Sequence, residues 1–120
     1  MILEKEFTFD SAHFLPFAPE GHKCRRLHGH TYRVTVGIQG ELDAEKGWLR
    51  DFGEIKEIVK PILDELDHRL LNAIPGLENP TAEILAKYIF DKLRARLPEL
   101  TYVTVEETPT SRAIYGRDNS

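Results

Sequence analysis

The 120-residue chain holds one cysteine, Cys24. That excludes an internal disulfide and leaves a solitary thiol, which in a reducing compartment is either inert core or a reactive group. No apolar run approaches the ~18 residues that a membrane-crossing helix needs, and no charged-then-apolar leader opens the sequence. A cytoplasmic protein without a membrane partner is therefore expected. Basic residues are not in surplus either. Sixteen Lys and Arg against twenty Asp and Glu give a net charge of −4, which argues against a nucleic-acid surface. Repeats, low-complexity tracts and interdomain linkers are missing too. One domain covering 1–120 is the expectation, burying roughly 65% of the surface of its unfolded chain.

What the chain does have is histidine in strand-like settings. Phe7, Phe9, Ser11 and His13 share one parity of an extended run, so in a β-strand His13 points the same way as the two phenylalanines. His28 and His30 share parity with Tyr32, Val34, Val36 and Ile38. Antiparallel pairing of the two strands would bring three imidazoles onto one core face, a donor set that resembles a tris-histidine zinc site with an open fourth position. The alternative is three satisfied core or surface histidines. Against it stands His-Gly-His, whose i and i+2 rings project side by side with a glycine between them that leaves room for close approach. His22, among Pro, Gly and Lys in a loop, and His68 lack this geometry. Lys23, Arg25, Arg26 and Arg33 crowd around the motif, either to hold an anionic small molecule or as a solvated loop face.

Periodicity lays out the remaining elements. Strands are expected over about residues 2–14 and 28–40, with a loop rich in Pro and Gly between them and a short extended piece from Gly47 to Asp51. Phe52, Ile55, Ile58, Val59, Ile62, Leu63 and Leu66 form a helical stripe that Pro61 should bend or restart. Ile84, Leu85, Tyr88, Ile89, Leu93 and Leu97 form a second stripe, capped by Asn79-Pro80-Thr81 and stopped before Pro98. Tyr102 to Glu107 and Ala113 to Tyr115 read as two more strands. The order ββααββ implies an α+β fold: an antiparallel four-stranded sheet with two helices on one face. Its unpaired edges favour closure by association with other copies.

Taken together, Ser11-Ala12-His13, Cys24-x3-His28-Gly29-His30, Asp51-Phe52 with Ile55-Lys56, Leu66-Asp67-His68, Asn79-Pro80-Thr81-Ala82-Glu83 and Val105-Glu106-Glu107-Thr108 resemble the 6-pyruvoyltetrahydropterin synthase family, in order and over nearly the whole chain. The short Cys-x3-His-Gly-His spacing, Leu-Asp-His and Glu-Asn-Pro-Thr are similar to the bacterial 6-carboxytetrahydropterin synthases of queuosine biosynthesis, whereas animal-type members typically carry more residues between the cysteine and His-Gly-His. The resemblance implies the tunnelling fold, in which trimers close their sheets into a barrel and two trimers stack as a homohexamer. It implies Zn2+ as cofactor and a pterin triphosphate, 7,8-dihydroneopterin triphosphate, as substrate. The implied product is 6-carboxy-5,6,7,8-tetrahydropterin, with loss of acetaldehyde and triphosphate. A 6-pyruvoyl product from the same site, or a non-catalytic zinc-stabilised oligomeric binding domain, remain as alternatives.

Roles for individual residues follow. A metal centre on His13, His28 and His30 would acidify substrate hydroxyls and stabilise the enolate formed when a neighbouring C–H breaks. Cys24, near a 2+ ion and basic side chains, is the candidate base, with a fourth zinc ligand or a small buried hydrophobe as the other readings. Asp67 and His68 resemble the family's proton relay, the aspartate orienting an imidazole that approaches the cysteine across a subunit boundary. On sequence alone the pair also reads as a helix-end cap. Glu107 shares the apolar parity of Val103 and Val105 while Glu106 takes the other face. A carboxylate there would accept two hydrogen bonds from a pterin's 2-amino group and ring N3–H, or else pair with an arginine such as Arg112.

Overall fold

Alternating runs at both ends of the chain and helical stripes between them produce a sheet backed by helices. The computed structural model describes residues 1–116. Strand β1 (Ile2–His13) pairs with β2 (His28–Gln39) along their full length, from Ile2 opposite Gln39 to His13 opposite His28. After two helices, α1 (Phe52–Leu66) and α2 (Ala82–Arg94), come β3 (Leu100–Thr108) and β4 (Ser111–Gly116). The sheet order is β1-β2-β3-β4, all neighbours antiparallel. With α1 packed on β1 and α2 on β3 and β4, the architecture is the expected α+β arrangement.

Strand parity decides which side is core. Tyr32, Val34, Val36 and Ile38 of β2 and Val103 and Val105 of β3 are fully buried beneath Ile55, Val59 and Leu66 of α1 and Leu85, Ile89 and Leu93 of α2. The opposite face is polar. There Arg33 reaches Glu6 at 3.1 Å and Glu106 at 3.5 Å, Arg112 reaches Glu106 at 2.8 Å, and the Tyr102 hydroxyl donates to Glu4. One apolar and one polar face is the pattern of an antiparallel sheet covered on a single side.

Four details depart from the sequence expectations. Helix α1 continues through Pro61 without restarting. Proline removes the bond to the carbonyl four residues back, here Glu57, and both residues are exposed, so water can replace that bond. Gly47 to Asp51 form no strand; the segment is a turn in which the Gly47 N–H donates to Asp43 O at 2.8 Å and the Asp43 carboxylate accepts from Glu45 and Lys46 N–H. The buried stripe of α2 is rotated toward Ala86 and Phe90, leaving Ile84 exposed, because β4 adds a second surface for the helix to cover. The edge of β1 is also partly met. Ala12 N–H donates to Arg69 O at 2.9 Å and His68 N–H to Asp10 O at 2.6 Å, so residues 68–70 run beside the end of the strand.

Candidate metal and substrate site

The β1–β2 register carries the site. Because His13 lies opposite His28, and Ser11 opposite His30, the three imidazoles converge at one end of the core face, with one ring nitrogen from each lying within 4.8 Å of the others. His13 is fully buried, while His28 and His30 are half-buried. The Nδ1 of His13 lies 2.8 Å from the Pro80 carbonyl and that of His28 lies 2.7 Å from the Arg26 carbonyl. Carbonyl oxygens only accept, so each Nδ1 carries the hydrogen, and each neutral ring presents a lone pair at Nε2.

Those two Nε2 atoms stand 3.0 Å apart. Two lone pairs at that separation repel unless a proton or a cation lies between them. Tetrahedral zinc, with Zn–N of ~2.0–2.1 Å, holds its nitrogens ~3.3 Å apart, so the donor set fits the metal. The outer hydrogen bonds to backbone carbonyls are the usual means of fixing ligand tautomer and ring orientation. Burial lowers the pKa of His13 and His30 from the ordinary 6.5, against the Pro80 hydrogen bond and Glu107 at His13 and against Glu107 at His30, which favours the neutral form that a metal ligand requires. A Cβ at Gly29 would meet only Ser11 O, at 3.5 Å, so the chain itself has room for a side chain there. What Gly29 keeps open is the groove of about 630 Å3 that it lines with Ala12, His30 and His68.

Cys24 is half-buried in a short 3-10 turn, Lys23–Arg25, just ahead of β2. Its N–H donates to His22 Nδ1 at 3.0 Å and its carbonyl accepts from Leu15 N–H at 2.7 Å, which pins the loop against the exit of β1. His22 therefore caps the turn. The cysteine sulfur is not among the donor atoms that converge with the three imidazoles. The basic cluster around the motif divides: Arg33 is engaged with Glu6 and Glu106 on the polar face, and Arg25 donates to the Ala18 carbonyl at 3.4 Å.

Asp67 and His68 occupy the exit of α1. A carboxylate there opposes the negative end of the helix dipole, so helix stability does not account for it. One Asp67 oxygen accepts from Asp10 N–H at 2.9 Å and the other lies 2.9 Å from His68 Nδ1. These contacts act in opposite senses on the two groups. The Asp10 amide, then His68, holds the Asp67 carboxyl below its ordinary value, and the Asp67 carboxylate raises His68 above 6.5. His68 sits at φ 55°, a left-handed conformation uncommon outside glycine, and leaves its ring exposed at the groove. Its ring nitrogen pairs with Asp67, and no hydrogen bond joins it to Cys24 within the chain.

Glu107 and Glu106 separate as their parity requires. Arg112 and Arg33 pair with Glu106, whose side chain is largely covered at 15% exposure, and no cation lies within ion-pair distance of Glu107 among the described residues. Glu107, half-buried at an irregularity in the β3–β4 register, instead acts on His13, His30 and Tyr32. Burial, with Glu107, raises the Tyr32 hydroxyl well above 10.0.

Several supporting contacts were not assigned a role from the sequence. Ser11 bridges the end of α1 and the following turn, donating to Leu66 O and accepting from Arg69 N–H at 3.1 Å. Asn72 clamps the residue after His13, accepting from Phe14 N–H at 3.0 Å and donating to Phe14 O at 2.8 Å. Ser11 had a signal in its shared parity with His13. Pro80 lay in the Asn-Pro-Thr motif, but nothing tied its carbonyl to His13, 67 residues away, and Asn72, 58 residues from Phe14, had no signal at all.

Known proteins are similar to this chain in sequence and in overall fold. A protein of Synechocystis named 6-carboxy-5,6,7,8-tetrahydropterin synthase is 45% identical over 95% of this chain and 92% of its own. A Pyrococcus furiosus protein named dihydroneopterin monophosphate aldolase is 40% identical over 76% of this chain and 73% of its own. Among solved structures, Caenorhabditis elegans 6-pyruvoyl tetrahydropterin synthase superposes with a TM-score of 0.89 at 30% identity, covering 97% of this chain and 94% of that one. The family profile described as 6-pyruvoyl tetrahydropterin synthase matches residues 2–118, a span that takes in the three converging imidazoles, Cys24, Asp67, His68 and Glu107. With that span matched from the first strand to the last, the chain belongs to the 6-pyruvoyl tetrahydropterin synthase family.

Proposed function

We propose that the protein is a zinc-dependent lyase that converts 7,8-dihydroneopterin triphosphate to 6-carboxy-5,6,7,8-tetrahydropterin, acetaldehyde and triphosphate, in the cytoplasm and within queuosine biosynthesis. The observation that carries this reading is the convergence of the three imidazoles, with the Nδ1 of His13 and of His28 held by backbone carbonyls. The product is supported by the Synechocystis relative that bears its name. His13, His28 and His30 would hold the zinc, which when bound supplies Lewis acidity toward the hydroxyls of the substrate side chain.

This chain's own groups do the rest. The Cys24 thiolate takes the carbon-bound proton, from a turn that the Leu15 and His22 contacts keep beside the histidine strands. Asp67 orients His68 and favours its protonated form, so that the imidazole can return a proton. The Glu107 carboxylate, with no arginine at ion-pair distance among the described residues, accepts from the 2-amino group and N3–H of the pterin ring. The ring of His68 is exposed and has no link to Cys24 in its own chain, which fits delivery into the site of another copy. The assembly proposed is a homohexamer, a dimer of trimers, joined through the edges of β1 and β4 that no strand covers among the described residues.

A non-catalytic zinc domain would need Cys24 on the metal, whereas the converging donors are three imidazoles. The second enzymatic reading is the 6-pyruvoyl product, favoured by the C. elegans structure of that name. Mass spectrometry of the products from zinc-loaded protein and dihydroneopterin triphosphate separates them. The carboxy product with acetaldehyde is expected; the pyruvoyl product would replace the leading reading with the second, and unchanged substrate would sink both. Mixing Cys24→Ala with His68→Ala subunits tests the shared site. Recovered turnover is expected, and its absence would place the relay within one chain.

A further inference from the structure

Tyr32 is fully buried, and its hydroxyl has no hydrogen-bond partner among the described residues. Leaving a buried hydroxyl unpaired is costly, and packing alone does not require one here. Phe9, directly opposite on β1, stacks on the Tyr32 ring at 4.9 Å with planes 15° apart, so an aromatic ring without a hydroxyl suits the same layer of the core. The last β2–β3 pair is Arg33 with Glu106, so Tyr32 and Glu107 are the next residues along the two strands. The Tyr32 ring also meets His30 and His13 edge-on, at 5.5 and 5.9 Å. The ring therefore borders the imidazole cluster, at the level of the sheet where β3 carries Glu107.

We propose that Tyr32 is a positioning residue, its hydroxyl donating to the Glu107 carboxylate when a pterin is bound, so that the carboxylate plane is held in line with the ligand's donor pair. The physical case is orientational. A glutamate has three rotatable bonds, and a bidentate pair forms only when both oxygens lie in the plane of the incoming N–H groups. Two donors from the ligand and one from the protein satisfy three of the carboxylate's acceptor positions and stop its rotation. Being fully buried, Tyr32 acts through Glu107 without touching the ligand. The inference rests on the assignment of Glu107 as the pterin acceptor.

A double-mutant cycle of Tyr32→Phe and Glu107→Gln tests it on zinc-loaded protein. The readouts are neopterin binding by fluorescence titration, zinc content and thermal unfolding. Tyr32→Phe should keep its zinc, unfold at the same or a higher temperature because an unpaired hydroxyl is gone, and bind neopterin about tenfold more weakly. The double variant should bind no more weakly than Glu107→Gln alone, because the hydroxyl acts only through the carboxylate. If Glu107→Gln weakens neopterin while Tyr32→Phe does not, or if the two losses add, the role of Tyr32 is overturned and that of Glu107 stands. Wild-type affinity in Glu107→Gln would overturn both. A Tyr32→Phe protein that unfolds at a lower temperature with unchanged neopterin affinity would mark the hydroxyl as a structural group, and that result also overturns the proposal.

Discussion

The facing ends of β1 and β2 and the exit of α1 both present histidine beside the same groove, and they prepare it for opposite tasks. His13 and His28 have their Nδ1 hydrogens tied to the carbonyls of Pro80 and Arg26 and their Nε2 atoms turned toward each other, and burial lowers the pKa of His13 and His30. His68 is exposed, has its Nδ1 against the Asp67 carboxylate, and is raised above 6.5 by it. Burial disfavours the charged form of an imidazole, the form a metal ligand cannot use, whereas a carboxylate beside an exposed ring favours it. The same side chain is thus suited to the proposed ligand role or to the proposed proton-carrier role according to its acceptor and its exposure.

Removing a ligand should break this contrast with the largest effect. His28→Ala or His30→Ala is expected to take zinc from about one per chain to none and to abolish turnover, while His68→Ala keeps the metal. Metal analysis of the three variants decides it, and full zinc in both ligand variants would refute the site. Cys24→Ala comes next. It should retain zinc and pterin binding yet lose ~10² to 10⁴ in turnover, the range for a positioned base. A variant that instead loses zinc would make the cysteine a ligand, and one with wild-type turnover would falsify its role as base.

Ser11 joins the two regions, and removing it should cost less. Ser11→Ala leaves Leu66 O and Arg69 N–H without their shared partner, for a loss of ~1–3 kcal/mol in denaturant unfolding. An unchanged midpoint would mean that water replaces the hydroxyl. The smallest effect is on titration. Asp67→Asn should move the His68 pKa down toward the ordinary 6.5, read from its imidazole NMR signals, and no movement would separate the pair. The signs also differ between the regions. His68, raised by folding, contributes stability that is full below 6.5 and is lost as pH rises through its raised value. Asp67, lowered by folding, contributes stability present above 3.8 that is lost as pH falls through its lowered value. His13 and His30, lowered by burial, make the metal-free fold less stable as pH falls below 6.5.

Much of this was legible in the residues because it depends on short-range periodicity. Two-residue alternation placed His13, His28 and His30 on the face of Phe9 and Tyr32 and divided Glu107 from Glu106. The 3.6-residue stripes located both helices, and Thr81 caps α2 by accepting from Ile84 N–H at 3.1 Å. Where a local rule depended on the surroundings it failed. Pro61 interrupts no helix because its bond is lost on the exposed side, and Gly47 to Asp51 have no neighbouring strand to pair with.

The sequence by itself determined which side chains share a face, since backbone geometry repeats every two residues in a strand whatever the strand packs against. Only the tertiary structure decided the register that sets His13 opposite His28, the Pro80 carbonyl that orients His13, the arginines that choose Glu106 over Glu107, and the Asp10 amide that holds Asp67 beside His68. Apart from the Arg112–Glu106 pair across the β3–β4 hairpin, these join residues well separated in the chain, 67 positions for His13 and Pro80 and 57 for Asp10 and Asp67, and such contacts are fixed by how whole elements dock, which no local pattern encodes.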